Sequence, residues 1–260
     1  DEFTWEDYHI RRYRPRIEGL FALIERWSRL GDSTDVHWRS ISKDNILTLY
    51  GSDENSRIFD PVDKQRIFSW LICETRDDKG NGIVYRYQED DGSRVDLAKV
   101  HERNRGEQDD VRRQVNRYIR SIGYGNRNTL LDGDGSRPYS LSKDAHDNVD
   151  WMFEVVFDYD EHHYVELSND RVRVPATTAW KSPDPSWEVR PDPFSNYRTG
   201  FEIRTTRRCQ RVLLFHHFNA LPAEINSAQK DELYVGLVRS TDFTYTDSSN
   251  ENEPNSAIYS

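Results

Sequence analysis

This chain of 260 residues has little cysteine and no long apolar run. Its two cysteines, Cys73 and Cys209, cannot build a disulfide framework, and each lies in an apolar, strand-like segment where a small buried thiol fits. No stretch is long and apolar enough to span a bilayer, and none has the pattern of a signal peptide. Because the chain starts at Asp1 without an initiator methionine, we expect a segment of a longer polypeptide whose targeting signal can lie elsewhere.

Positive charge is also in deficit. Lys and Arg number 36 against 46 Asp and Glu, for a net charge of -10, whereas phosphate binding needs a dominant positive field. This balance argues against a nucleic-acid or anionic-membrane partner. The apolar fraction is only 35%, but 7 Trp, 14 Tyr and 11 Phe supply large buried areas, so we expect an ordered domain with a substantial core.

Recognisable catalytic motifs are missing as well. The chain has no Gly-x-Ser-x-Gly elbow, no phosphate-cradling loop and no metalloprotease helix, and its acidic residues are too numerous for one pair to stand out. The pairs His162-His163 and His216-His217 raise the question of a metal, but adjacent residues on a strand point to opposite faces, so neither pair can chelate one ion. We predict no catalytic residue, no cofactor and no metal site.

What the sequence does contain is strand and turn patterns. Residues 67–76 and 82–89 flank the turn-forming word Asp77-Asp78-Lys79-Gly80-Asn81, which predicts a β-hairpin. Residues 151–159 alternate apolar and polar side chains and predict a strand. Two more strands are predicted over 233–239 and 242–245, with a bulge or a close backbone approach at Gly236.

Polar stretches interrupt these strands. Residues 90–114 carry many charges of both signs and few apolar anchors, and residues 127–150 are polar and glycine-containing, so both are predicted to be solvated insertions. Residues 247–260 form a polar linker or tail. We therefore predict one domain over residues 1–246.

One long sequence motif and several shorter motifs occur in a fixed order and indicate a family resemblance. The long motif runs from Arg190 to Thr205, and the shorter ones include Tyr13 to Gly19, His37-Trp38-Arg39 and Tyr124-Gly125-Asn126. Together they resemble the SpvB-type domain, the N-terminal module of the Salmonella virulence plasmid B protein and of the B component of insecticidal Tc toxin complexes. The motif positions are Asp77, Gly80, Asn81, Tyr124, Gly125, Asn126, Arg190, Asp192, Phe194, Ser195, Tyr197, Arg198, Gly200, Arg204 and Thr205.

The resemblance implies a mostly β fold, a large antiparallel β domain, sandwich-like or shell-like, built of hairpins. One hairpin, residues 77–87, resembles the Asp-x-x-Gly-Asn-x-x-x-Tyr-x-Tyr word of Rhs/YD repeats. Residues 17–30 conflict with this fold, because Ile17, Leu20, Phe21, Ile24 and Trp27 fall at helical spacing. The resemblance and the turn at residues 31–34 favour strands here, and we predict β structure.

The resemblance also implies a function. The chain would be a non-catalytic scaffold module of a secreted toxin that helps encapsulate or deliver a toxic C-terminal effector, with other segments of the same polypeptide and other toxin subunits as partners. The positions predicted to form its core or interface are Trp70, Leu71, Tyr85, Tyr87, Phe157, Tyr159, Phe201, Leu213 and Phe215.

Alternatives remain open at this point. Trp180 and Trp187 lie in a proline-rich stretch and could stack on sugars, which would make the chain a carbohydrate- or receptor-binding module. The resembling proteins also include ADP-ribosylating toxins, whose catalytic domain would lie outside this chain. Arg198, Arg204, Arg207, Arg208 and Arg211 could bind phosphate, but carboxylates across the ladder are the expected partners, with Arg204 and Arg208 on one face.

Overall fold

The computed structural model describes residues 1–17, 19, 21–141, 149–161, 164–166, 173–175, 187–219 and 233–245. These residues form strands, three short 3₁₀ helices and no α-helix. The 3₁₀ helices are η1 Glu54–Ser56, η2 Val100–Glu102 and η3 Val111–Arg113. The strands are β1 Glu2–Trp5, β2 Tyr8–Tyr13, β3 Leu23–Arg29, β4 Val36–Ile41, β5 Leu47–Tyr50, β6 Arg57–Phe59, β7 Ile67–Trp70, β8 Ile72–Arg76, β9 Gly82–Glu89, β10 Arg117–Asn126, β11 Trp151–Asp158, β12 Tyr164–Glu166, β13 Arg173–Pro175, β14 Phe194–Asn196, β15 Ile203–Thr205, β16 Arg211–Asn219 and β17 Leu233–Asp242.

Eleven strands form one large sheet in the order β1-β2-β3-β4-β5-β8-β9-β10-β11-β16-β17. The pairs β6-β7, β12-β13 and β14-β15 form separate two-stranded sheets, each antiparallel. This arrangement confirms the predicted antiparallel β fold. The conflict over residues 17–30 is resolved in favour of a strand, since β3 occupies Leu23–Arg29 and pairs with both β2 and β4.

Cross-strand register explains which face of these first strands is buried. Ile10 lies opposite Trp27, and Trp27 lies opposite His37, so the three side chains share one face. All three are buried. Trp27 fell on the apolar side of the helical pattern, but it reaches the core as a strand residue. Side chains alternate between the two faces of a strand, so its neighbours Arg26 and Ser28 point to the other face.

The predicted hairpin at residues 77–81 is confirmed, with β8 and β9 antiparallel and Arg76 opposite Gly82. Its first arm is not one strand, however. It breaks at Leu71, whose N–H donates to the Ser56 carbonyl at 2.8 Å and whose carbonyl accepts from Gly51 N at 2.8 Å. Those two bonds direct β7 to pair with β6 and leave only β8 in the large sheet.

The chain divides into two compact units. Unit 1 comprises Asp1–Gln88 and Ile119–Glu154, and unit 2 comprises Glu89–Tyr118 and Val155–Ser260. The core of unit 1 includes Leu47, Leu49 and Val84, which are almost fully buried. In unit 2, Val156, Leu213 and Phe215 form one apolar cluster, and Tyr118, Tyr159 and Trp187 form another.

Residues 90–114, predicted to be a solvated insertion, are mostly exposed but contain several buried positions. Asp90 is 0% exposed and Glu102 is 2% exposed, and Val95 and Arg113 are buried as well. The segment carries η2 and η3, and its burial is achieved mainly by ion pairs, which leave no apolar periodicity in the sequence.

The C-terminal strands also differ from expectation. A single strand, β17, runs from Leu233 to Asp242, so residues 243–245 do not form a strand of their own. The bulge lies at Val238, because Leu214 pairs with Arg239 while Phe215 pairs with Leu237. Gly236, the predicted bulge, pairs regularly with His216. The predicted tail at 247–260 and His162-His163 lie outside the described residues.

Candidate functional site

The long family motif, residues 190–205, contains a small hairpin that contacts the Glu102 carboxylate in unit 2. Strands β14 and β15 pair with Ser195 opposite Arg204. Arg204 Nη2 donates to Glu102 Oε1 at 2.7 Å, although the two residues are far apart in the sequence. Glu102 Oε2 accepts from Arg113 Nη1 at 2.6 Å and from Arg105 Nη1 at 2.8 Å. We call Glu102, Arg105, Arg113, Glu202 and Arg204 the Glu102 cluster.

The second carboxylate of the cluster, Glu202, immediately precedes β15 and accepts hydrogen bonds from three residues. Ser195 Oγ donates to Glu202 Oε1 at 2.5 Å, Tyr197 Oη donates at 3.0 Å, and Arg105 Nε lies 2.9 Å from Oε2. Ser195 Oγ in turn accepts from Arg204 Nη1 at 2.9 Å. The motif residues Ser195, Tyr197 and Arg204 therefore act together to hold this hairpin on residues 102–113.

The two carboxylates of the Glu102 cluster are held in their ionised form by three arginines and are not poised for proton transfer. Burial alone would raise the pKa of Glu102, but hydrogen bonds from Arg113 and Arg105 outweigh it and lower the pKa to about 2. Burial opposes the shift at Glu202 too, yet Ser195 and Arg105 lower its pKa. Both carboxylates are ionised at neutral pH and engaged as acceptors, so this arrangement can hold segments together but has no proton to donate.

A second buried cluster in unit 2 surrounds Arg207, which is 1% exposed. Its Nη2 lies 2.9 Å from Asp90 Oδ1 and 3.0 Å from Asp91 Oδ1, and its Nη1 donates to the Trp187 carbonyl at 2.8 Å. Thr206 N donates to Tyr118 Oη at 2.8 Å. We call Asp90, Asp91, Tyr118, Trp187, Thr206 and Arg207 the Arg207 cluster. Like the Glu102 cluster, it joins residues near 90–118 to residues near 187–207.

Trp187 does not fit the sugar-binding alternative. Its side chain is 0% exposed, with its ring edge-to-face against Tyr118 at 5.2 Å and Tyr159 at 5.8 Å. Its Nε1 donates to Asp91 Oδ1 at 2.9 Å, and Arg207 lies over the ring at 4.7 Å. An indole covered on both faces offers no platform for a sugar ring. Trp180 lies outside the described residues.

Unit 1 contains an aromatic cluster on one face of β1 to β4, in which Trp27 and His37 are buried and Trp5 is exposed. The Tyr139 ring lies 4.6 Å from Trp27 and contacts the rings of Trp5, Tyr8 and His37. Tyr139 belongs to residues 127–150, predicted to be solvated, so this part of the segment is instead a cover for the sheet. The sequence offered no sign of this, because one tyrosine in a polar stretch has no periodicity.

The positions predicted as core or interface fall into two groups. Tyr159, Leu213 and Phe215 are buried, whereas the remaining six are half-buried: Trp70, Leu71, Tyr85, Tyr87, Phe157 and Phe201. Trp70 Nε1 donates to the Val36 carbonyl at 2.7 Å, and its ring meets Trp38 edge-on at 5.9 Å. Tyr85 and Tyr87 border a cleft of about 500 Å³ within unit 1, and burial raises the pKa of Tyr87. Their role as an interface remains a prediction.

The other motif residues occupy turns and short contacts. Asp77 closes its turn with hydrogen bonds to Asn81, Tyr124 stacks on Phe153 at 5.1 Å, and Arg190 Nε donates to Asp192 Oδ1 at 2.8 Å. Gly125 has a positive φ of 68°. Arg190 also lies over the exposed ring of Phe194 at 4.9 Å. Arg198 and Gly200 are exposed in the β14–β15 turn, and half-buried Thr205 lies opposite Phe194 at the other end of the hairpin.

Arg204, Arg207 and Arg211 each face a carboxylate. Arg204 binds Glu102, Arg207 binds Asp90, and Arg211 Nε lies 3.2 Å from Asp158 Oδ2. Arg208 lies over the Tyr245 ring at 4.1 Å. Sequence reasoning missed Asp90, Glu102, Arg105 and Arg113, since nothing in a mixed-charge stretch distinguishes the few ions that become buried.

Nucleophile and metal chemistry find little support in this part of the chain. Burial raises the pKa of the Cys73 thiol and raises that of Cys209 to about 11, so both are neutral thiols at neutral pH. Among the residues that the structure describes, no three His, Cys, Asp or Glu side chains group closely enough to hold a metal ion. The same residues include no helix that is long and apolar enough to cross a membrane.

The described residues form a large antiparallel β module. The sequence model of the family described as Salmonella virulence plasmid 65kDa B protein matches residues 1–218, and the chain belongs to that family. It is 35% identical over 224 residues to the Mono(ADP-ribosyl)transferase SpvB of Salmonella typhimurium, a match that covers 86% of this chain and 33% of the relative. The chain thus spans about a third of the length of the curated relatives it matches.

Solved structures agree with this assignment. The N-terminal domain of effector protein SpvB from Salmonella typhimurium strain LT2 matches with a TM-score of 0.66 and 31% identity, over 91% of this chain and 70% of that one. TcdB2-TccC3 matches with a TM-score of 0.69 and 29% identity, over 92% of this chain and 10% of that one. The Photorhabdus luminescens Tc holotoxin pore matches with a TM-score of 0.68 and 29% identity, over 92% and 10%. The chain is therefore a β-rich module of a toxin-associated family.

Proposed function

We propose that this chain is a non-catalytic scaffold module of a secreted virulence or insecticidal toxin, and that it helps encapsulate or deliver a toxic C-terminal region outside the chain. Its partners would be other segments of the same polypeptide and other subunits of a toxin complex. The protein would be made in the cytoplasm and act outside the cell that makes it.

The main support for this proposal is that residues of the family motif form hydrogen bonds to buried or half-buried carboxylates. Ser195, Tyr197 and Arg204 are engaged with Glu102 and Glu202, and the carboxylates they bind are ionised. Residues that serve as a catalytic acid or base usually have a pKa near neutrality. Here the shifts run the other way, as is typical of ion pairs that hold a structure together.

The test uses the full polypeptide that contains this chain. We expect limited proteolysis to degrade the C-terminal region faster when residues 1–246 are deleted, and delivery of toxicity to fall in parallel. Arg204→Met should produce the same exposure in milder form, because it breaks the Glu102 cluster. Arg198→Met is the matched control, since Arg198 lies in the same family word but is exposed. A C-terminal region equally resistant in all four proteins would contradict the scaffold role.

A second candidate concerns the whole polypeptide. The curated relatives are mono(ADP-ribosyl)transferases, and this chain matches only about a third of their length. We propose that any such activity of the parent protein resides outside this chain. The parent should hydrolyse NAD or label a target protein, whereas the isolated chain should do neither. NAD hydrolysis by the isolated chain would make it catalytic and refute both proposals.

A further inference from the structure

Two family motifs that are distant in sequence contact each other at the peptide bond between Asn81 and Gly82. The hairpin between β8 and β9 contains the step Asn81-Gly82, and Asn126, from the word Tyr124-Gly125-Asn126, contacts that step directly. Asn81 is exposed, whereas Gly82 is buried. The scaffold role leaves this contact unexplained, since the turn itself is already closed by Asp77.

An asparagine followed by glycine is chemically vulnerable, because no side chain on the glycine hinders ring closure. The Gly82 nitrogen can attack Asn81 Cγ, forming an N–Cγ bond while the Cγ–Nδ2 bond breaks. The proton of the Gly82 amide leaves with the Nδ2 group, which departs as ammonia. Water then opens the succinimide at either carbonyl and yields aspartate or isoaspartate, without any change of oxidation state.

In the folded chain the attacking nitrogen is occupied. Gly82 N–H donates to Asn126 Oδ1 at 2.9 Å, which keeps the proton on the nitrogen and points it away from Asn81 Cγ. Asn126 is itself fixed, because its Nδ2 donates to the Gly80 carbonyl at 2.8 Å and to the Asn128 carbonyl at 2.7 Å. Asn126 thus uses its amide to hold both sides of the hairpin turn.

The Asn81 side-chain amide, which the Gly82 nitrogen would attack, is also fixed by hydrogen bonds. Asn81 Nδ2 donates to Asp77 Oδ2 at 2.6 Å, and Asn81 N donates to Asp77 Oδ1 at 2.8 Å. The Asp77 carboxylate also accepts from Lys79 N at 2.9 Å. Rotation of the Asn81 amide toward its own backbone would therefore break a charge-assisted hydrogen bond.

We propose that Asn81-Gly82 is a latent deamidation site that the folded structure protects through the hydrogen bonds of Asn126 and Asp77. When the hairpin opens, both sets of hydrogen bonds are lost together and Asn81 becomes reactive. The isoaspartate product adds a backbone methylene beside the Arg76–Gly82 pair and would disturb the β8–β9 register. The time that this chain can spend unfolded and still return to its native state is then limited.

The test is peptide mapping by mass spectrometry of the purified chain during incubation at neutral pH. Folded wild-type protein should convert Asn81 at least about tenfold more slowly than the denatured chain, the factor that corresponds to one hydrogen bond of ~1.4 kcal/mol. Asn126→Ala should deamidate about tenfold faster than folded wild type. Asn126→Asp keeps an acceptor for Gly82 N–H but loses the donor to the Gly80 and Asn128 carbonyls, so its rate should lie between those of wild type and Asn126→Ala.

Two controls separate local protection from global stability. Asn128→Ala should match wild type, because Asn128 takes part through its backbone carbonyl. Leu49→Ala removes a fully buried side chain elsewhere in unit 1 and reports what loss of stability alone does. Equal rates in Asn126→Ala and Leu49→Ala at equal stability would overturn the proposal, as would a folded wild-type chain that deamidates as fast as the denatured one. Hydrogen exchange should show the Gly82 amide protected in wild type and exposed in Asn126→Ala.

Discussion

Glu74 and Arg76 lie on the same face of β8, and both are buried, with Arg76 Nη2 3.0 Å from Glu74 Oε1. Residues 137–141 cover the pair: Arg76 donates to the Tyr139 carbonyl at 3.1 Å, and Leu141 N donates to Glu74 Oε2 at 3.3 Å. Burial raises the pKa of Glu74, and Arg76 offsets part of that rise. Each ion depends on the other, because both side chains are almost fully buried.

The first prediction concerns this pair. Glu74→Ala should lower the free energy of unfolding by about 3–5 kcal/mol, because it leaves Arg76 buried without its counter-ion. The double variant Glu74→Leu with Arg76→Met should regain most of that loss, since two apolar side chains need no partner. Urea denaturation followed by tryptophan fluorescence measures both. A single variant as stable as wild type would show that Arg76 reaches water.

The second prediction compares two glycines with positive φ. Gly51 has φ 66°, and a Cβ there would lie 2.4 Å from Trp70 Cδ1, whereas Gly31 has φ 82° and open space around it. Gly31→Ala should cost about 1 kcal/mol from backbone strain alone. Gly51→Ala should cost clearly more, because the Trp70 ring must also move. Equal melting temperatures for the two variants would show that Trp70 yields freely.

The third prediction concerns Trp187. Trp187→Ala should destabilise unit 2 by about 3–5 kcal/mol, since the variant loses a fully buried ring and its hydrogen bond to Asp91. Trp187→Phe keeps much of the packing and should cost less. Thermal unfolding measures both. A Trp187→Ala protein that folds normally but loses binding on a glycan array would instead support the receptor-binding alternative.

The fourth prediction is a pH dependence. The folded pKa of Glu102 is about 2, below its ordinary value of 4.5, so its ion pairs contribute full stability above pH 4.5. That contribution is lost as the pH falls through about 2. Glu102→Gln should be less stable than wild type at neutral pH, and the difference should shrink between pH 4.5 and pH 2. Glu107→Gln, which removes the charge of an exposed carboxylate in the same segment, should be as stable as wild type at neutral pH.

The turns and strands were predictable because their chemistry is local. The word from Asp77 to Asn81 specifies a hairpin through one carboxylate that accepts from Lys79 N, Asn81 N and Asn81 Nδ2. Alternation over residues 151–159 likewise matches β11, which runs from Trp151 to Asp158. Such signals need no knowledge of distant residues.

The charged clusters were not predictable for the opposite reason. Glu102 is distinguished from its acidic neighbours only by Arg204, which arrives from a separate hairpin. Trp187 was considered as a sugar-stacking residue because it lies in a proline-rich stretch, yet Tyr118 and Tyr159 from distant segments enclose it. Long-range partners of this kind leave no periodic trace, so a single sequence cannot reveal them.

The distance in sequence between Asp90 and Arg207 has a consequence for how the protein is made. The two residues are separated by 117 positions. At about 5–20 residues per second, a ribosome adds Asp90 about 6–23 s before it adds the arginine that neutralises it. In a nascent chain that stops short of residue 207, Asp90 lacks its counter-ion and cannot become buried. We therefore expect truncated translation products to be good substrates for cellular proteases.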